Sequence, residues 1–188
     1  MKLATRDLLA ELLLEALDDP IAADAIRARI VPLAPQSQSE QAEVTAKLER
    51  YAAALDEWKT EPSSSERETA LKKAVLLFNH HLFFEVHEVL EIQWRRESGD
   101  VRRFLQGLIQ VAVAFYHLGN HNFRGALALL HDGLEKITPY QPVFLGVELQ
   151  EFVAQITACH DELYRLGPGK VDQFQITLIP RLQLRRLT

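Results

Sequence analysis

Apolar positions recur with a period near 3.6 through most of the chain, the pattern of amphipathic helices. Leu8, Leu9, Leu12, Leu13 and Ala16 form the first such run, which Asp18, Asp19 and Pro20 end. A short helix is expected over 21–30, and Pro32, Pro35 and the polar QSQSE stretch read as a linker. From Gln41 to Trp58 a helix carries Val44, Leu48, Tyr51 and Leu55 on one stripe, with Glu43, Lys47, Glu49 and Arg50 off it. Pro62 to Ser65 is the most linker-like segment, and Ser65 followed three residues later by Glu68 predicts a capping box for the next helix.

Two helices meeting near Phe78 and Asn79 are expected between Glu66 and about Arg96. Asp100 predicts the N-cap of a helix reaching His117 or Leu118, followed by helices over Arg124–Ile137 and Gly146–Leu166. The tail from Val171, with Phe174, Ile176, Leu178 and Ile179 before Pro180, fits either a short strand or an extended arm. No internal repeat of solenoid period is visible. The expectation is an all-α fold, a compact helical bundle in three parts. Residues 1–62 form an N-terminal helical extension, 63–140 the core, and 141–188 a C-terminal helix and an extended arm packed on it.

Composition narrows the class of protein without naming a reaction. The 188 residues are 47% hydrophobic and 25% charged, ordinary values for a globular chain. A net charge of −5 predicts no nucleic-acid partner, and the lone Cys159 fits a reducing compartment. Arg6, Asp7 and Glu11 interrupt the first apolar run, so it does not read as a secretory signal. The most apolar stretch, Phe104 to Gly119, is shorter than the ~18 residues of a membrane span and holds Gln106, Gln110 and His117. A soluble, cytoplasmic protein with no membrane partner is expected. No nucleophile elbow, phosphate loop or dinucleotide fingerprint is present.

Chemistry concentrates in FNHHLFFEVHEVLEIQW, residues 78–94. At about 100° per residue, His87, Glu91 and Trp94 share one stripe flanked by Phe84, Glu88 lies at its edge, and Glu85 sits opposite. The segment is apolar nearly all round, so its carboxylates are expected to be partly buried and to need a counter-ion, a hydrogen bond or a cation. On the next helix Arg102, Arg103, Gln106, Gln110 and His117 form a polar ridge. Antiparallel packing would bring that ridge to the His87–Glu91 stripe, with Gly107 permitting close approach and His117 near Glu85 or Asn79.

Two readings follow. His87, Glu91 and Glu88 would bind zinc, iron, nickel or manganese, or a small ligand, with Glu85, Gln106, Gln110 and His117 as further ligands or supports and Phe84 and Trp94 as walls. Alternatively the same groups form a structural polar network inside a non-enzymatic interaction module, a homodimer included. Should the site be catalytic, metal-assisted hydrolysis with Glu88 or Glu85 as base is the preferred class. The H-x-x-x-E spacing recurs at His131 and Glu135 on a solvated face, so spacing alone is weak evidence. Arg95, Arg96, Arg102 and Arg103 bracket one turn and read chiefly as surface ion pairs, with anion binding the lesser reading.

Residues from about Leu71 to Glu135 resemble the domain of unknown function 309 family of bacterial and archaeal proteins. The resemblance rests on H-x-x-x-E-x-x-W, met by His87, Glu91 and Trp94, and on the FLQGLIQ run that begins at Phe104. It implies an all-helical fold and a metal site at that motif, and it implies no reaction.

Overall fold

A computed structural model describes residues 3–19, 38–58 and 65–185; the helix expected over 21–30, most of the linker after it and the 62–64 segment lie outside the described residues. Two helices come first, α1 (Leu3–Asp18) and α2 (Gln38–Glu57). Two helical hairpins follow, α3 (Glu66–Asn79) with α4 (Phe83–Arg96) and α5 (Gly99–Gly119) with α6 (Phe123–Ile137). Strands β1 (Val143–Phe144) and β2 (Val147–Glu148) lead into α7 (Gln150–Leu166). An arm with 3-10 turns at Pro168–Gln173 and Ile176–Leu178 ends in β3 (Gln183–Leu184), which pairs antiparallel with β2. The all-α expectation holds: helices make the bundle, and each strand is two residues long.

The helix boundaries have local causes. Ser65 Oγ accepts from the Glu68 backbone N–H at 3.2 Å, as the capping-box spacing predicts. Ser98 rather than Asp100 is the N-cap of α5, and Asp100 in the first turn accepts from the Tyr140 hydroxyl at 3.1 Å. The helix expected from Gly146 begins only at Gln150, because Leu145 (φ 50°) and Gly146 (φ 80°) turn the chain between β1 and β2. The strand lies at 183–184, beyond the tail segment where strand or arm was expected; that segment takes 3-10 turns instead.

The two helical hairpins are a structural repeat that the residue pattern conceals. Their turns place His81 (φ 56°) and His121 (φ 57°) in the left-handed region, forty positions apart, a conformation histidine tolerates better than most residues. The hydrogen bonds repeat too: His81 N–H to Phe78 O at 2.9 Å and His121 N–H to Leu118 O at 3.0 Å. Ala74 and Ala114, and Leu90 and Leu130, are buried at matching positions.

Close packing then fixes the layers. Phe78 of α3 stacks edge-on against Phe83, Phe115 and Phe152 at centroid distances of 5.3, 6.0 and 5.5 Å, tying α3, α4, α5 and α7 together. Gly107, expected to bring α5 onto α4, instead serves the α5–α6 contact. A Cβ there would lie 2.6 Å from Ile137 Cγ2, and one on Gly133 would lie 3.0 Å from the Gly107 carbonyl oxygen. Leu9, Leu13 and Leu17 of α1 and Tyr51 and Ala54 of α2 join the same apolar cluster as the hairpins. Lys47, expected on the solvent side of α2, is buried. Asn79 pins the arm at two points, donating to Leu182 O at 2.9 Å and accepting from Leu182 N–H at 2.8 Å. No helix among the described residues is long and apolar enough to cross a membrane.

Candidate functional site

Helix α4 presents the expected stripe half-exposed, with its charges already paired. His87 Nδ1 lies 3.1 Å from Glu88 Oε1, and His87 Nε2 lies 3.5 Å from Glu91 Oε2. Glu91 Oε1 also accepts from Arg95 at 3.0 Å. The two ring nitrogens face different carboxylates, whereas one metal ion can use only one of them. Among the described residues no three His, Cys, Asp or Glu side chains come together in a way that could hold a metal ion. The donor set as arranged therefore does not fit the ion that the motif implies.

The polar ridge of α5 does not meet that stripe as a unit. Gln106 and Gln110 are half-buried, and among the described residues neither hydrogen-bonds His87, Glu88 or Glu91. His117 turns to the start of α6, where its Nδ1 lies 3.1 Å from Asn122 Nδ2. Asn122 Oδ1 is committed to the Gly125 N–H at 3.0 Å, so its amide nitrogen faces the ring and Nδ1 accepts. His117 thus answers the start of α6, and among the described residues it hydrogen-bonds neither Glu85 nor Asn79. Trp94 lies beneath the Arg102 guanidinium at 3.7 Å, and Arg102 donates to Trp94 O at 2.8 Å. Of the four arginines bracketing the α4–α5 turn, Arg95, Arg96 and Arg103 pair with Glu91, Glu66 and Glu135, while Arg102 donates to backbone carbonyls instead.

Glu85, on the opposite side of α4, leads to a different site. It is 1% exposed, accepts from the Tyr51 hydroxyl at 2.5 Å and pairs with Lys47 Nζ at 2.6 Å. Burial, together with the Glu85 charge, pushes the Tyr51 phenol well above its ordinary range, so it stays a donor. Lys47 and Glu85 line a cavity of about 400 Å³ between α1, α2, the two histidine turns and the arm. Arg6 lies over the Phe84 ring at 3.8 Å, donates to the Tyr116 hydroxyl at 3.0 Å and pairs with Asp7 at 2.6 Å. At the mouth His121 Nδ1 meets Asp172 at 2.6 Å.

Two groups lining this cavity remain uncommitted. Arg50 Nε and His81 Nδ1 are buried with no hydrogen-bond partner among the described residues. Arg50 Nη1 donates to His81 O at 3.5 Å, the limit of a hydrogen bond. Burial, reinforced by Arg50, His80 and Arg181, lowers the basicity of His81 and keeps the ring neutral at pH 7. A larger hollow of about 550 Å³ beneath the arm holds Cys159, whose thiol donates to Leu178 O at 3.2 Å and is pushed by burial up to about 11. None of the buried unpartnered polar atoms belongs to a residue lining that hollow.

Arg50 and Lys47 carried no functional weight in the residue pattern, and His81, beside His80 at a helix junction, carried only the lesser reading of an extra ligand. One signal was there to find: His81 and Glu85 repeat the H-x-x-x-E spacing of His87 and Glu91, shifted toward the N-terminus.

Residues 71–129 match the family model described as Domain of unknown function (DUF309). The chain is also similar to the uncharacterized protein YpuF of Bacillus subtilis (strain 168), 40% identical over 53 residues. That match covers 28% of this chain and 30% of the relative. The family segment contributes His81, Phe84 and Glu85 to the cavity, while Arg6, Lys47 and Arg50 come from helices outside it. The segment that this family model matches holds most of both helical hairpins and the H-x-x-x-E-x-x-W stripe.

Proposed function

We propose that this chain binds a small molecule in the cavity between α1, α2, the two histidine turns and the arm, and that the His87–Glu88–Glu91 cluster is a structural polar network. The observation that carries the reading is that Arg50 and His81 line one cavity and each holds a buried polar atom, Nε and Nδ1, without a hydrogen-bond partner among the described residues. Leaving a buried polar group unsatisfied costs about 1–3 kcal/mol, more for a charged one, and a ligand removes that cost. A volume of about 400 Å³ falls in the range of roughly 300–1,000 Å³ of small-molecule pockets.

Ligand-observed NMR with a mixed set of neutral, anionic and cationic fragments tests this, using wild type and Ile176→Trp, which fills the mouth. Fragments should bind wild type and lose binding to the variant. Equal binding to both proteins would remove the cavity as the site. The structural reading of the α4 cluster is checked by elemental analysis of tag-free protein reconstituted with zinc, manganese, iron and nickel. Stoichiometric metal that disappears in both His87→Ala and Glu91→Gln would overturn it.

A further inference from the structure

Resting on that cavity reading, we infer that the ligand is a small organic monoanion, a carboxylate on an apolar body, held by the Arg50 fork and the His81 Nδ1–H. The charges around the cavity single out Arg50. Lys47 is taken by Glu85 at 2.6 Å, Arg6 by Asp7 at 2.6 Å, and His121 by Asp172 at 2.6 Å. Arg50 has no carboxylate partner among the described residues, and its Nε is buried. A guanidinium presents parallel N–H groups that match the two oxygens of a carboxylate, a geometry that lysine cannot offer.

The second donor follows from the turn. The left-handed conformation at residue 81 holds the imidazole edge-on to Phe83 at 5.5 Å. His81 lines the same cavity as Arg50, with its Nδ1 buried and unpartnered among the described residues. Because this ring is neutral, it adds a hydrogen bond and no charge. With those pairs made, Arg50 is the cation of the lining with no carboxylate partner among the described residues, and the carboxylates of Glu43, Glu85 and Asp172 also line the cavity. A phosphate dianion would bring a second negative charge that nothing there balances, so a monoanion fits better. Part of the remaining wall is apolar, with Phe84, Phe115, Phe174, Ile176 and Ile179 lining the space the ligand body would fill, while Glu43, Tyr116 and Asn120 add polar lining.

The test uses matched probes on the full chain, followed by calorimetry. Benzoate, phenylacetate and cinnamate are compared with their primary amides and with phenyl phosphate, on wild type, Arg50→Gln, Arg50→Lys and Ile176→Trp. Each acid should bind wild type at least about tenfold more tightly than its amide, the equivalent of one charge-assisted hydrogen bond. That preference should vanish in Arg50→Gln and shrink in Arg50→Lys. Amides that bind as tightly as the acids, yet are blocked by Ile176→Trp, would overturn the anion assignment and leave the cavity standing. Phenyl phosphate binding more tightly than the carboxylates would overturn the monoanion. Probe binding indifferent to Ile176→Trp would overturn the cavity reading as well. No binding by any probe would overturn the carboxylate assignment and leave the cavity to the fragment screen.

Discussion

Replacing Lys47 with Met should destabilise the protein by about 3 kcal/mol, and removing its partners as well should restore most of that loss. Lys47 is 7% exposed and Glu85 1%, with 2.6 Å between Nζ and Oε1. Breaking a buried pair from one side costs about 3–5 kcal/mol because the remaining charge is stranded. Here the Tyr51 hydroxyl at 2.5 Å still holds Glu85 in the variant, which argues for the low end of that range. Met keeps the volume of the lysine stem. Its sulfur contacts, worth about 0.3–1.5 kcal/mol, offset the lost cation–π contacts with Tyr51 at 5.5 Å and Phe84 at 5.8 Å. The triple variant Lys47→Met, Tyr51→Phe, Glu85→Leu leaves no buried polar group in the cluster. It should unfold within about 1 kcal/mol of wild type, since apolar replacement of a whole buried pair is often neutral or better. Urea unfolding followed by far-UV circular dichroism at pH 7 measures both. A single-variant loss below about 1 kcal/mol would mean that Glu85 is not stranded. A triple variant as unstable as the single would place the loss in packing rather than in charge.

Gly133→Ala and Gly119→Ala should shift the melting temperature in opposite directions. Both gain up to about 1 kcal/mol of helix propensity, but a Cβ on Gly133 meets Val111 Cγ2 at 2.7 Å and the Gly107 carbonyl oxygen at 3.0 Å, and the backbone cannot swing aside. Overpacking of this kind costs about 1–3 kcal/mol, so Gly133→Ala destabilises on balance. Nothing lies within 4 Å at Gly119, where only the gain remains; shifts of the same sign would refute the close α5–α6 contact. On the acid side, His81 holds its proton less tightly in the folded chain than the unfolded value of 6.5, so the unfolded chain binds more protons there. The stability it contributes above about pH 6.5 is lost as pH falls from there through the folded-state value. His81→Asn, which tolerates the left-handed turn, should flatten stability against pH over that window; an unchanged slope would mean that the ring is not buried beside Arg50.

The helices were legible because their signals lie within a few residues of one another. The Ser65–Glu68 cap, the four-residue spacing of Leu9, Leu13 and Leu17 and the shared stripe of His87 and Glu91 are all i, i+3 or i, i+4 relations, which helical geometry turns into neighbours whatever surrounds them. Partners across elements were not legible in this way. Gly107 could serve either flank of α5, and the helix crossing chose α6; Glu85 faced away from the stripe, and α2 supplied the lysine and tyrosine that hold it. The β-hairpin at Leu145–Gly146 was overlooked because two-residue strands carry no period.

The repeat of the two hairpins shows the same divide. It is written in backbone conformation at His81 and His121, and only scattered side chains such as Phe83 and Phe123 or Leu90 and Leu130 coincide. The sequence by itself determined that the described chain is chiefly helical, that a helix starts after Ser65, and that ionisable groups thread α4. Only the tertiary structure decided that the His87 cluster answers its own neighbours while Glu85 binds a distant helix. It also decided that Arg50 and His81 are left facing a common space. The physical reason is that a charge is satisfied by whatever lies within about 3 Å of it, and across elements that distance is set by how helices cross, which no local spacing records.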